Sequence, residues 1–268
     1  MTLKQIGWAV GILVVLAVVF GVWSSFTTPA APSSPTAGDT SPVLKGRLEA
    51  DQNYHYKDVA PGYEITAVYP AKVPLPSAEA SAKAAATIEA KLAESIAAFK
   101  ADAAQMLTAQ EIARLQEAGA SYALGFEYND YFQEGYHSYV YQVYQDTGGA
   151  HPNGFYLTLV FDLEGNLVTL EQLFAPGSRY LDRLSAAVYP KVFDELAERL
   201  GQAPTPDMLD TVRVGTAPSP ETLQFFYLYQ GDLHLLFPPY QVASYAAGSF
   251  DIAIPLADLA DILAPGVR

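Results

Sequence analysis

Side chains able to do chemistry are sparse in this 268-residue chain, which has four histidines and no cysteine. The missing thiols exclude disulfides, thiolate nucleophiles and thiolate metal sites together. His55, His137, His151 and His234 are scattered, without the paired spacing by which a helix holds zinc, and no glycine-flanked serine elbow or phosphate-cradling glycine loop occurs. Two histidine–carboxylate pairings bear on the loops and strands read below. Asp146 lies across a turn from His151 and could form an acid–base pair with it; the alternative is a histidine that bonds a loop carbonyl. Asp232 and His234 share a strand face and read as a surface pair. The turn from Asp162 to Asn166 lacks the ligand series of a calcium loop. No catalytic residue, metal ligand or cofactor site is assigned on these grounds.

The segment Asp146-Thr147-Gly148-Gly149-Ala150-His151-Pro152-Asn153 joins two alternating aromatic stretches, Tyr139 to Tyr144 and Phe155 to Phe161. A two-residue Asn-Gly or Asp-Gly turn would reverse the chain with less material. Two readings stand. The glycines, Pro152 and the Asx side chains could serve the turn's architecture alone, or Thr147, Gly148, Gly149, Ala150, His151, Pro152 and Asn153 could touch a ligand or partner. A second loop, Phe237 to Gly248, leaves a strand through Pro238 and Pro239 and carries Tyr240 and Tyr245. Stiff Tyr and Pro surfaces lose little side-chain entropy on binding. The plainer reading is that the prolines end the strand and Tyr240 packs inward.

The elements that must position these loops follow from periodicity. Tyr63 to Tyr69 alternates as a first strand. Ser77 can cap an Ala-rich helix with Ile88, Leu92, Ile96, Phe99, Ala103 and Met106 along one stripe. The Thr108 to Glu111 spacing predicts a break near Leu107 and a second short helix that ends at Gly119. From Tyr122 the period becomes two, which predicts an antiparallel meander with turns near Glu134-Gly135, at the Thr147 loop and at Asp162 to Asn166. Ser178 can cap a further helix with a kink at Pro190 and an end at Gly201. A Pro-rich connection leads to a hairpin, Leu223 to Tyr229 and Leu233 to Phe237, around Gly231-Asp232. A last strand runs from Phe250 to Ile254. Strands and helices are grouped rather than alternating, so the class is α+β: one mainly antiparallel sheet packed against helices.

Half of the residues are apolar and 12% aromatic, enough for a substantial core, and the formal net charge is −14. That charge disfavours nucleic acid and anionic lipid as partners and suits a cationic protein, or simply keeps the domain soluble. Residues 6–26 form an uncharged run about 20 residues long, the span of a bilayer helix. Lys4 precedes it, and Trp8 and Trp23 fall near its ends. This predicts a signal anchor with residues 1–5 in the cytoplasm and the remainder outside a bacterial cytoplasmic membrane. A cleaved signal peptide, with Thr28-Pro29-Ala30 as a loose processing site, is the competing reading. Residues 27–50 read as a Pro/Ala/Ser/Thr-rich tether and 51–268 as the extracytoplasmic domain, with sub-lobes at 51–119 and 120–268 as one possibility.

The ordered set Thr147-Gly148-Gly149-Ala150-His151, Phe161-Asp162, Leu170 to Phe174, Phe237-Pro238-Pro239-Tyr240 and Tyr245-Ala246-Ala247-Gly248 resembles the extracytoplasmic domain of RsiV-type anti-sigma factors. It is also similar to an accessory region of some peptidoglycan deacetylases such as PdaC. The resemblance spans roughly Tyr63 to Leu263. It implies a membrane-anchored binding domain that recognises a protein such as lysozyme, with Thr147 to Asn153 and Pro238, Pro239 and Tyr240 as the matching surface. A cell-wall hydrolase or deacetylase, or its accessory domain, is the alternative. Five residues before the apolar run are too few for sigma-factor-binding helices, which argues against anti-sigma signalling.

Overall fold

A computed structural model describes Leu44 and residues 46–267. The proposed membrane helix and most of the tether lie outside the described residues. None of the described helices is long and apolar enough to cross a membrane. The described residues belong to one compact unit.

The architecture is α+β with two sheets rather than one. The larger has seven strands in sequence order: β1 (Arg47–Leu48), β2 (Asn53–Ala60), β3 (Tyr63–Pro70), β4 (Tyr122–Gln133), β5 (Tyr136–Asp146), β6 (Asn153–Asp162) and β7 (Leu167–Val168). All of its neighbouring pairs are antiparallel except β3 and β4. Between those two the chain crosses over through α1 (Ala78–Met106) and α2 (Ala109–Ala118). The smaller sheet has the order β10 (Phe250–Pro255), β9 (Asp232–Phe237), β8 (Phe226–Tyr229). It follows α3 (Tyr180–Leu200) and α4 (Pro206–Gly215).

Each sheet has its own apolar core. The α1 stripe of Ile88, Leu92, Ile96 and Phe99 packs with Ile65, Leu124, Phe126 and Tyr141 of the large sheet. Leu184, Val188, Val192 and Leu196 of α3 pack with Leu228, Leu235, Phe237, Ile252 and Ile254 of the small one. Each such fully buried side chain contributes about 2 kcal/mol. Hydroxyls link the sheets: Leu228 N–H donates to Ser138 Oγ and Phe226 N–H to Thr158 Oγ1, both at 3.2 Å. The α1 stripe therefore shares its core with β4 to β6, and no lobe boundary falls at Gly119.

Local signals set the helix ends. Ser77 and Thr108 accept the N-terminal amide bonds of α1 and α2, and Gly119 closes α2 with φ 63°. Ser178 does not cap α3; Arg179 holds that position, and its side chain pairs with Asp182 rather than capping the helix amides. The helix runs through Pro190 and ends at Gly201 as the sequence predicts. Met106, at the end of the α1 stripe, is exposed. The segment read as a Pro-rich connection contains α4, where Thr205 caps and Pro206 occupies the first turn. The first strand of any length is β2, and its predecessor β1 lies in the supposed tether. Leu44 is buried, and the Tyr69 hydroxyl donates to its carbonyl at 3.0 Å, so the domain begins before residue 51. The β8–β9 turn is Gln230-Gly231, both at positive φ.

Candidate functional site

The two unusual loops, far apart in sequence, meet. The His151 Nε2 and the Tyr240 hydroxyl are 2.6 Å apart, and the His151 ring stacks on Tyr245 with centroids 3.9 Å apart. His151 Nδ1 lies 3.0 Å from the Pro152 carbonyl. A carbonyl only accepts, so Nδ1 carries the proton, and in the neutral ring Nε2 then accepts from the Tyr240 hydroxyl. Both ring nitrogens are used. Asp146 takes no part: its carboxylate accepts from Gly148 N–H at 2.9 Å as an Asx turn. Of the two readings open for His151, the structure shows the histidine that bonds a loop carbonyl, and Asp146 forms the turn.

Local chemistry holds this geometry. Gln241 N–H donates to the Pro238 carbonyl, with Pro239 and Tyr240 at the corners of the turn. Tyr240 sits at φ 73°, a conformation usually left to glycine, and is 48% exposed. Such strain costs on the order of 1 kcal/mol and is retained only where the surroundings enforce it. Those surroundings are visible. The Gln241 side chain donates to the Gly215 and Thr222 carbonyls at 2.9 and 2.7 Å. Arg199 donates to the Ala247 and Ser249 carbonyls, and its guanidinium lies over the Phe250 ring. A Cβ added at Gly215 would fall on the Gln241 carbonyl, so the glycine permits the close approach of α4 to the loop. The result is a loop clamped at both ends that presents Tyr240 and Tyr245 outward.

Not every predicted residue joins the junction. Gly148, Gly149 and Ala150 are exposed at the tip of the turn, while Thr147 and Pro152 are half-buried. Gly148 lies near Tyr122 and Arg114 instead, and Asn153 starts β6 in register with Gln145. Pro238 and Pro239 are half-buried and shape the turn that aims Tyr240. Tyr245, Gln241 and Arg199 are additions. Tyr245 belonged to the motif set; the clamping role of Arg199 depends on a contact between segments 48 residues apart and leaves no local signal.

A second polar cluster lies on the face of the small sheet turned away from α3. His234 pairs not with Asp232 but with Asp251, Nδ1 to Oδ1 at 2.8 Å, and the Tyr227 hydroxyl donates to Asp251 Oδ2 at 2.7 Å. The Tyr227 ring stacks between His234 at 4.3 Å and Tyr131 at 4.4 Å, and Tyr229 meets Tyr131 edge-on. Burial, then the bond to Asp251, pushes the Tyr227 hydroxyl well above the usual tyrosine range. Asp232 is displaced because β9 and β10 run antiparallel, with Asp251 opposite Leu236 and Ala253 opposite His234. Among the described residues no cluster of three His, Asp or Glu could hold a metal ion.

Residues 171–257 match a family model described as a protein of unknown function, DUF3298. The match contains α3, α4, the small sheet and the Tyr240 loop, but not His151. Two solved structures are similar. A DUF3298 family protein from Pseudomonas aeruginosa PAO1 has TM-score 0.57 and 15% identity over 80% of this chain and 94% of that one. A member of the same family from Bacteroides fragilis has TM-score 0.54 and 18% identity, covering 82% and 95%. At these identities the likeness is one of fold. A Mycobacterium tuberculosis protein named an esterase is 34% identical over 100 residues, which are 36% of this chain and 42% of that protein. The chain thus spans less than half the length of this curated relative.

Proposed function

We propose that this chain is a membrane-tethered, extracytoplasmic binding domain that holds a cationic protein, with a lysozyme as the first candidate, against the junction of His151, Tyr240 and Tyr245. The observation that carries the reading is that junction: two aromatic side chains held outward by a loop pinned through Gln241 and Arg199, bonded across to the glycine-rich turn. Rigid, exposed aromatics of this kind are what binding hot spots are made of, because little freedom remains to be lost. The net charge of −14 draws a basic partner at long range and speeds encounter. The likeness of the ordered loop motifs to RsiV-type domains favours the same class of partner. The apolar run at residues 6–26 and the polar stretch after it favour a tether outside the cytoplasm.

The test is calorimetric titration of the full chain with a basic lysozyme at low salt. Saturable binding that weakens as salt is raised and falls about thirtyfold in Tyr240→Ala supports the proposal. Absence of heat at protein concentrations of tens of micromolar, on the order of the weakest useful affinity, rejects it.

A further inference from the structure

We infer that the face of the small sheet turned away from α3 carries a second, hydrolytic site in which His234 is a general base for water attack on a carboxylic ester of a ring-bearing alcohol.

The four histidines differ in what their nitrogens do. His151 uses both. His137 is buried, with Nε2 on Asp130 and Nδ1 enclosed without a partner. His55, in β2, is bonded through Nε2 to the exposed Asp51. His234 alone combines a carboxylate at Nδ1 with an Nε2 that takes no protein partner among the described residues, in a side chain 16% exposed. Asp251 can only accept, so Nδ1 is the protonated nitrogen and Nε2 carries the lone pair.

Tyr227 holds the other oxygen of that carboxylate and stacks on the imidazole, so the ring is fixed in tautomer and in plane. A carboxylate that orients a histidine in this way is what general-base sites require. Among the described residues no serine or threonine hydroxyl is bonded to Nε2, so the proposed nucleophile is water. Past Tyr227, on the side away from the imidazole, Tyr131 stacks on that ring and meets Tyr229 edge-on; both are half-buried and give an aromatic surface on which the ring of an alcohol or phenol can rest.

The step balances without a co-reactant. Water oxygen bonds to the ester carbonyl carbon while Nε2 takes the water proton. The carbon–oxygen bond to the alcohol then breaks as the imidazolium returns that proton to the departing oxygen, leaving acid, alcohol and neutral His234. Asp251 and Tyr227 are positioning residues. Nothing in this proposal depends on the binding junction.

The experiment uses the full chain and 4-nitrophenyl acetate. Wild-type protein should release nitrophenolate in proportion to its concentration, with slower release in deuterium oxide. His234→Ala should lose about a hundredfold, the usual contribution of a general base. Asp251→Asn preserves shape and should lose most of the rate if the alanine variant fails to fold. Tyr227→Phe should lower kcat with KM unchanged, and His55→Gln should match wild type. Hydrolysis no faster than buffer, an undiminished rate in folded His234→Ala or Asp251→Asn, or the absence of a solvent isotope effect would each overturn the proposal.

Discussion

The His151 junction and the His234 face are built from the same residue types, histidine and tyrosine, yet they end in different chemistry. At the junction the tyrosine hydroxyl occupies the imidazole Nε2, and the rings turn outward. At the sheet face the tyrosine hydroxyl goes to the carboxylate behind the imidazole, and Nε2 takes no protein partner among the described residues. Residue type alone therefore says little about a histidine. What decides is which ring nitrogen the neighbouring groups occupy.

The largest perturbation should abolish both regions at once. Burial raises Tyr69 and Tyr128 to about 12 and pushes Tyr141 higher still. An unfolded tyrosine ionises near 10, so above that pH the unfolded state binds fewer protons than the native one and stability falls as pH rises. The contribution is complete below pH 10 and gone above about 12. Melting temperatures by circular dichroism should be level up to pH 10 and drop steeply beyond it.

A narrower change should break the junction and spare the sheet face. Gly215→Ala forces a methyl onto the Gln241 carbonyl. It should cost about 1–3 kcal/mol in chemical denaturation and weaken lysozyme binding more than tenfold, while ester hydrolysis by the folded protein is unchanged. Tyr240 separates contact from stability. Tyr240→Ala should weaken binding by about 2 kcal/mol, as hot-spot truncations do. Tyr240→Gly should lose as much binding yet gain about 1 kcal/mol in stability, because φ 73° suits glycine. The smallest expected effect is that of Arg199→Lys, which keeps the charge but not the fork to Ala247 and Ser249. Affinity should fall only a few-fold.

Local chemistry was readable in the sequence. Ser77, Thr108, Gly119 and Gly201 mark helix ends because capping is decided within a few residues. The α1 stripe and the β4 to β6 meander follow from periods of 3.6 and two. Thr205-Pro206 carried a start signal for α4 that the surrounding prolines obscured. The division into two sheets was not legible, because strand patterns do not state their partners. For the same reason Asp232 looked like the partner of His234: the β9–β10 register that brings Asp251 there is a tertiary fact. The loops could be singled out by composition; that His151 reaches Tyr240 could not, since 89 residues separate them.

The most direct test of the central claim is hydrogen–deuterium exchange of the full chain with and without saturating basic lysozyme. The account predicts slowed exchange in residues 147–153 and 238–249, with little change on the β9–β10 face. A complex that protects other surfaces while those two loops exchange as they do in the free protein would contradict it.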